Sequence, residues 1–114
     1  MIEAVRAHAP RAKTDAQVIR CVYDSLAACY AKSISDLEAT VGEKFDTLHI
    51  IGGGSRDALL NELTAKTTGK RILTGPTEAT ALGNLLMQMI AAGELADLAS
   101  ARALIRNSVE LGEF

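Results

Sequence analysis

The organisation of this chain is decided by residues 45–55, which read Phe45-Asp46-Thr47-Leu48-His49-Ile50-Ile51-Gly52-Gly53-Gly54-Ser55. The first seven residues are mostly apolar and partly β-branched, which is typical of a short strand. Three successive glycines end a strand and turn the chain sharply. Ser55 can then cap a following helix, with Asp57 in its first turn. The stretch therefore predicts a strand, a glycine loop and a helix N-terminus in succession.

Helix and strand signals on both sides extend this pattern. Thr14 and Gln17 have the spacing of a capping box at the start of a long amphipathic helix that ends near Gly42. Further downstream, Thr77 can cap another helix. The predicted elements are helices at residues 2–8, 14–42, 56–68, 78–92 and 97–107, and strands at 45–51 and 71–73. Strands that alternate with helices indicate an α/β fold with parallel pairing of the two strands.

The helix over residues 79–92 is unusually apolar. Its only polar side chains are Thr80, Asn84 and Gln88, which form one narrow stripe because they are spaced four residues apart. The pattern predicts a helix buried on most sides, with a neighbour approaching closely at Gly83. Two short strands rarely form a stable sheet alone. We therefore expect an incomplete domain that borrows strands, by self-association through exposed apolar surface or from another segment.

Composition excludes several classes of function. The chain has 12 Lys and Arg against 14 Asp and Glu, and only 4% aromatic residues, which argues against nucleic-acid binding. No signal peptide is visible, and the apolar run over residues 79–93 is too short to span a membrane, so a cytoplasmic location is expected. Cys21 and Cys29 would lie about 12 Å apart on one helix. They cannot form a disulfide, and they are expected to be small buried side chains in a reducing compartment.

The glycine loop has the character of a ligand site. Glycine lets a ligand approach the backbone closely, and the N-terminus of a helix favours negative charge. The candidate residues are Gly52, Gly53, Gly54 and Ser55. Spacing alone leaves open whether these glycines hold a ligand or simply permit a sharp turn.

Two common phosphate loops are excluded by spacing. The dinucleotide fingerprint requires a glycine where Asp57 stands. The lysine-containing phosphate loop requires Ser or Thr after Gly69-Lys70, and Arg71 follows instead. No Ser-His or Cys-His pair has a defensible catalytic geometry, and neither histidine has a partner at metal-ligand spacing. We therefore predict no catalytic residue and no metal site in this chain.

Several motifs together resemble the C-terminal part of the FGGY family of carbohydrate kinases. The residues that carry the resemblance are Leu48-His49-Ile50-Ile51-Gly52-Gly53-Gly54-Ser55, Leu59-Leu60-Asn61, Thr68-Gly69, Gly75-Pro76-Thr77-Glu78-Ala79-Thr80-Ala81-Leu82-Gly83-Asn84, Arg20-Cys21-Val22-Tyr23-Asp24-Ser25-Leu26-Ala27 and Tyr30. The resemblance implies the actin-like ATPase (ribonuclease H-like) fold. Residues 1–114 would be the C-terminal part of the nucleotide-binding domain, incomplete at its N-terminal side.

The family's reaction transfers the γ-phosphoryl group of ATP, with Mg²⁺, to a sugar hydroxyl. The strand that carries His49 and the run Leu82-Gly83-Asn84 favour a ketose, L-rhamnulose, as the acceptor. The catalytic base and the sugar-binding residues would lie upstream of this chain, so the chain alone is expected to be inactive and to meet the sugar only through that upstream part.

The resemblance also implies where ATP or ADP binds. The family's nucleotide-binding positions correspond to Gly52, Gly53, Gly54, Ser55 and Asp57 in this sequence. Among them, Gly53 is the residue most expected to contact the nucleotide. The family often has Asn at the position of Asp57, where the side chain can meet the nucleoside. An ionised Asp accepts hydrogen bonds but cannot donate one, and it repels phosphate.

Three alternatives stay open at this point. The acceptor could be another sugar, as in a fuculokinase or xylulokinase type of FGGY kinase. The chain could be a nucleotide-binding module without catalysis, which agrees with the lack of an internal acid and base pair. It could also be a structural segment that binds nothing.

Overall fold

A computed structural model describes all residues from Met1 to Phe114, with five α-helices and three strands. In chain order the elements are α1 (Ile2–His8), α2 (Asp15–Val41), β1 (Thr47–Ile50), a short 3-10 helix (Gly53–Arg56), α3 (Ala58–Thr68), β2 (Arg71–Thr74), α4 (Ala79–Ala91), α5 (Leu98–Ser108) and β3 (Gly112–Glu113). The α/β class predicted from the sequence is confirmed.

The three strands form one sheet in the order β1-β2-β3. β1 and β2 are parallel, with Thr47 opposite Arg71 and Ile50 opposite Thr74. β3 pairs antiparallel with β2 and places Gly112 opposite Thr74. The sequence predicted the two parallel strands but not β3. A two-residue strand that contains glycine carries no alternating or β-branched pattern, so only its pairing partner reveals it.

The ends of α2 and α3 are set by local signals that the sequence shows. Gln17 N donates to Thr14 Oγ1 over 3.3 Å, and Thr14 N donates to Gln17 Oε1 over 3.1 Å, which confirms the capping box. Gly42 ends α2 with φ of 75°, and Gly69 ends α3 with φ of 67°. Both values lie in the left-handed region that glycine adopts without strain. These caps fix where the two helices meet the sheet.

The core is small and lies between α2, α3 and β2. Ile72 on β2 and Ala27 on α2 are fully buried, and Val18 is 2% exposed. Only 11 of the 114 residues are buried, and the radius of gyration is 18.1 Å. A compact domain of this length would have a radius of gyration of about 13 Å. The chain is therefore elongated and covers little of its own apolar surface.

α4 differs most from its prediction. Leu86 is its only buried residue, while Leu85 and Met87 are each more than half exposed. The prediction of a helix buried on most sides is wrong, because α5 covers one face of α4 and the others face outward. No atom lies within 4 Å of the position of a Cβ at Gly83, so the expected close neighbour is also missing. Thr77 does not cap α4, since Glu78 occupies that position without a side-chain cap.

The two cysteines are free, as predicted. Cys21 is half-buried, but Cys29 is exposed, so the expectation that both are buried is wrong for Cys29. Helical periodicity places Cys29 on α2 but does not show whether a neighbouring element covers it.

A buried carboxylate joins the amino-terminal ends of the two parallel strands. The side chain of Glu38 on α2 is 6% exposed. Its Oε1 accepts hydrogen bonds from Lys70 Nζ at 2.5 Å and from Phe45 N at 2.9 Å, and its Oε2 accepts from Lys44 Nζ at 2.9 Å. Lys70, followed by the amide of Phe45 and by Lys44, lowers the pKa of Glu38 to about 2 from its ordinary 4.5. Glu38 is therefore ionised and fully paired near neutral pH.

Candidate functional site

The glycine loop lies at the carboxyl-terminal edge of the parallel strands. Gly75 N donates to the carbonyl oxygen of Ile50 over 2.9 Å, which ties the turn after β2 to the end of β1. Gly52 N donates to the carbonyl oxygen of Pro76 over 3.2 Å. The parallel register brings both strand ends to the same edge, where ligands bind in open α/β sheets. The loop and the turn therefore form one continuous surface.

Ser55 does not cap α3, contrary to the sequence prediction. The residues after Gly52 form a 3-10 helix, in which Ser55 N and Ser55 Oγ both donate to the carbonyl oxygen of Gly52, at 3.0 Å and 2.7 Å. The cap of α3 is Asp57, whose Oδ1 accepts from Leu60 N over 3.0 Å. The 3-10 helix displaces the start of α3, so the capping role passes from Ser55 to Asp57.

The three glycines are not equivalent. Gly52 has φ of 80° and ψ of −164°, a conformation that is essentially restricted to glycine. Gly53 and Gly54 have no positive φ, and no atom lies within 4 Å of a Cβ built at either position. The backbone therefore requires glycine at position 52, whereas nothing within the chain requires it at 53 or 54. Both residues are exposed, so their backbone is open to a ligand.

Asp57 is the carboxylate nearest the glycines along the chain. Its Oδ2 accepts a hydrogen bond from the hydroxyl of Tyr23 over 2.5 Å. That bond, followed by the bond from the amide of Leu60, lowers the pKa of Asp57, and the same contact raises the pKa of Tyr23. Asp57 is therefore ionised and Tyr23 protonated near neutral pH.

Asn61 supports the end of the glycine loop from within the protein. It lies on α3, is 1% exposed, and its Nδ2 donates to the carbonyl oxygen of Ser55 over 3.0 Å. Its Oδ1 is buried without a hydrogen-bond partner. Keeping a polar side chain there is costly. The hydrogen bond from Asn61 to Ser55 offsets part of this cost, and it fixes the end of the glycine loop.

A polar cleft of about 400 Å³ opens beside the loop. It is lined by Ser55, Arg56, Thr74, Gly75, Thr77, Glu110, Leu111 and Gly112. Arg56 is the only cation among these residues, and its Nε donates to Thr77 Oγ1 over 3.4 Å. Arg56 and the hydroxyls can donate to acceptor oxygens of a ligand, and Glu110 places one carboxylate on the same lining.

The chain assembles no group of three or more His, Cys, Asp or Glu residues that could hold a metal ion. None of the helices combines the length and the apolar character needed to cross a membrane.

The structure brings the predicted site residues Gly52, Gly53, Gly54, Ser55 and Asp57 together on one short segment. Sequence reasoning missed Tyr23, Asn61, Arg56 and Thr77. Arg56 could have been found as the one cation next to the glycines, whereas α3 is mixed in polarity and gives no signal that singles out Asn61. No sequence signal pairs Tyr23 with Asp57, because 34 residues separate them.

A comparison with protein-family models assigns most of the chain to a known family. Residues 4–92 match the model of the FGGY family of carbohydrate kinases, C-terminal domain. The chain therefore belongs to the FGGY family, and the region that matches is the C-terminal domain, which has the actin-like ATPase fold.

Curated relatives narrow the similarity to one kind of kinase. The chain is 47% identical over 102 residues to a rhamnulokinase of Bacillus subtilis, covering 90% of this chain and 21% of that protein. It is 50% identical over 94 residues to a rhamnulokinase of Enterococcus faecalis, covering 81% of this chain and 19% of that protein. The rhamnulokinase of Bacteroides thetaiotaomicron is 44% identical over 95 residues, covering 83% of this chain and 20% of that protein. The chain thus spans about a fifth of the length of these relatives.

Proposed function

We propose that this chain forms the ATP- and ADP-binding part of a sugar kinase that phosphorylates a ketose hydroxyl, with L-rhamnulose as the acceptor. The family match and the similarity to rhamnulokinases support the class of reaction. The observation that carries nucleotide binding is the pair of open glycines, Gly53 and Gly54, which neither the backbone nor the packing of this chain requires.

The residues present fit a nucleotide. Open space at the Cβ positions of Gly53 and Gly54 leaves room for a sugar ring or base against the backbone. Arg56, in the adjacent polar cleft, provides a positive charge for phosphate oxygens. The carboxylate of Asp57 accepts two hydrogen bonds within the protein, which directs part of its charge toward Leu60 and Tyr23.

Within this proposal the loop binds and orients the nucleotide and performs no proton transfer. Gly52, Gly53, Gly54 and Ser55 would hold the nucleoside side, and Asp57 would keep the end of the loop in place. Bound ATP, with Mg²⁺, supplies the phosphoryl group and the neutralisation of charge that this transfer needs. The catalytic base and the sugar-binding residues belong to a part of the protein outside this chain, so the chain alone would be inactive. A cytoplasmic location fits the free thiols of Cys21 and Cys29.

Calorimetric titration of the chain with ATP and with ADP tests nucleotide binding. We expect saturable heat with the wild-type chain and at least about tenfold weaker binding by Gly53→Val, because branched carbons would occupy the open space above the loop. Gly83→Val is the matched control, since that glycine also has open space and a negative φ but lies on α4. Equal heats, or no heat, for the wild-type chain and Gly53→Val would contradict the proposal.

A coupled assay of the full-length protein tests the reaction and the sugar. ADP release is expected to be fastest with L-rhamnulose, and fuculose and xylulose distinguish the other FGGY kinase types. Turnover of L-rhamnulose by the 114-residue chain alone at the rate of the full-length protein would contradict the assignment of the catalytic base to another part. Nucleotide binding without phosphorylation of any ketose by the full-length protein would favour a module without catalysis.

A further inference from the structure

We propose that Tyr23 is a positioning residue that fixes the glycine loop through Asp57. Its effect on nucleotide affinity rests on the proposed function, whereas its effect on the loop itself does not. Tyr23 lies on α2, a helix that contributes no residue to the glycine loop or to the polar cleft. Its hydroxyl nevertheless meets the residue directly after the 3-10 helix.

The bonds around Asp57 form a continuous chain from α2 to the loop. The hydroxyl of Tyr23 donates to Asp57 Oδ2 over 2.5 Å, and Leu60 N donates to Asp57 Oδ1 over 3.0 Å. Asp57 N donates to the carbonyl oxygen of Gly54 over 3.2 Å. Both oxygens of the carboxylate are thus engaged on different elements, and the amide of the same residue holds the last glycine. Rotation of the Asp57 side chain would break both carboxylate contacts, which support the backbone bond from Asp57 N to Gly54.

The glycine loop is held on both sides of Gly53, and at its first residue Gly52 N donates to the carbonyl oxygen of Pro76. Asp57 and Asn61 fix Gly54 and Ser55, while Gly53 has no neighbour at its Cβ position. A binding loop that is already fixed loses less conformational entropy when a ligand arrives. Tyr23 connects this fixed end to the packed interface of α2 and α3. It therefore orients the exposed backbone of the glycines without touching a ligand.

The hydroxyl acts as donor in this contact. Tyr23 and Asp57 are both half-buried, and the carboxylate can only accept. Tyr23→Phe therefore removes one hydrogen bond and keeps the ring. Tyr30→Phe is the matched control, because Tyr30 lies on the same helix, is 37% exposed, and its hydroxyl has no partner within the chain.

Site-resolved trypsin cleavage of the chain tests the positioning without any ligand. Arg56 is exposed and immediately precedes Asp57, so cleavage after Arg56 reports how often the loop end opens. Cleavage after Arg106 on α5 is the internal reference. Tyr23→Phe should raise the Arg56 rate relative to Arg106 by about threefold to tenfold, as expected for one hydrogen bond. Tyr30→Phe should leave the ratio unchanged. In an Asp57→Ala background, Tyr23→Phe should have no further effect.

Titration with ADP completes the test, with Tyr23→Phe expected to bind about threefold to tenfold more weakly than wild type and Tyr30→Phe equally well. An unchanged Arg56 cleavage ratio in Tyr23→Phe would overturn the inference, as would an additive effect with Asp57→Ala. Faster cleavage with unchanged ADP affinity would also overturn it and leave Tyr23 a purely structural residue. If the wild-type chain binds no ADP, the proposed function fails, while the cleavage ratios still decide whether Tyr23 holds the loop.

Discussion

The two ends of the parallel strand pair each carry a carboxylate, and their surroundings differ. Glu38, at the amino-terminal ends, is buried and paired with Lys70 and Lys44. Asp57, at the carboxyl-terminal end, is half-buried and accepts hydrogen bonds from neutral groups on Tyr23 and Leu60. At the amino-terminal end, two lysines neutralise the buried carboxylate of Glu38. At the carboxyl-terminal end, the carboxylate of Asp57 keeps its negative charge and lies near glycines whose backbone is exposed. The difference separates a structural end of the sheet from an end suited to bind a ligand.

Both carboxylates have a lowered pKa, so ionisation alone does not distinguish them. The two carboxylates differ in the groups that would lose a charged partner if the carboxylate were neutralised. Removing the charge of Glu38 leaves the ammonium group of Lys70, whose side chain is 15% exposed, without a counter-charge. If the charge of Asp57 is removed, its two partners are the hydroxyl of Tyr23 and the amide of Leu60. Both are neutral donors, so they can still bond to a neutral acceptor. This contrast orders the expected effects of mutation.

Glu38→Gln is expected to cause the largest loss of stability among the variants that remove one charge. The buried ammonium group of Lys70 would lose its counter-ion, and breaking a buried pair on one side is strongly destabilising. The melting temperature by circular dichroism measures the loss. Asp36→Asn is the control, because Asp36 pairs with Lys32 on the same helix but both side chains are exposed. Equal melting temperatures for the two variants would remove the distinction between a structural pair and a surface pair.

The pH dependence of stability should come largely from the same end of the sheet. The pKa of Glu38 is about 2 in the folded chain and 4.5 ordinarily, so the folded state prefers the ionised form. The contribution is complete above pH 4.5 and is lost as the pH falls toward 2. Urea unfolding across this interval should show the free energy of unfolding falling in the wild type and falling less steeply in Glu38→Gln. Parallel curves for the two proteins would assign the acid sensitivity to other carboxylates.

At the end of the sheet that carries the glycine loop, neighbouring glycines should respond differently to the same substitution. Gly52→Ala is expected to cost about 1–3 kcal/mol of unfolding free energy, because its φ of 80° with ψ of −164° is strained for any other residue. Gly53→Ala should leave the unfolding free energy nearly unchanged, since its φ is ordinary and a Cβ has open space. Urea unfolding of both variants measures the difference. A large destabilisation by Gly53→Ala would mean that the loop glycines are needed for folding, which would weaken the case for ligand binding.

The sequence was sufficient where the signal is local. Thr14 and Gln17 are three residues apart and define the start of α2, and Gly42 defines its end, so no distant part of the fold is needed. The glycine loop was located for the same reason. The prediction that Ser55 caps α3 is wrong because a 3-10 helix follows Gly52. The hydrogen bonds that form this 3-10 helix cannot be predicted from residue type alone.

Long-range pairing explains the remaining differences. β3 exists because Gly112 and Glu113 pair with β2, about forty residues earlier in the chain, and Tyr23 meets Asp57 only when α2 packs against α3. The exposure of Leu85 and Met87 could not follow from helical periodicity either. Periodicity identifies an apolar surface but not whether a neighbour covers it. The predicted binding role of the glycine loop stays a prediction.

Asp57→Asn is expected to have only a small effect on stability, and it completes the comparison with Glu38→Gln because both changes replace a carboxylate by its carboxamide. Asparagine caps helices about as well as aspartate, so the bond from Leu60 N can be retained, and the hydroxyl of Tyr23 can still donate to the amide oxygen. The melting temperature should therefore fall much less than in Glu38→Gln. A loss as large as that of Glu38→Gln would show that the charge of Asp57 is structural. The two ends of the sheet would then be built on the same principle, and the proposal of a ligand site would rest on the open glycines alone.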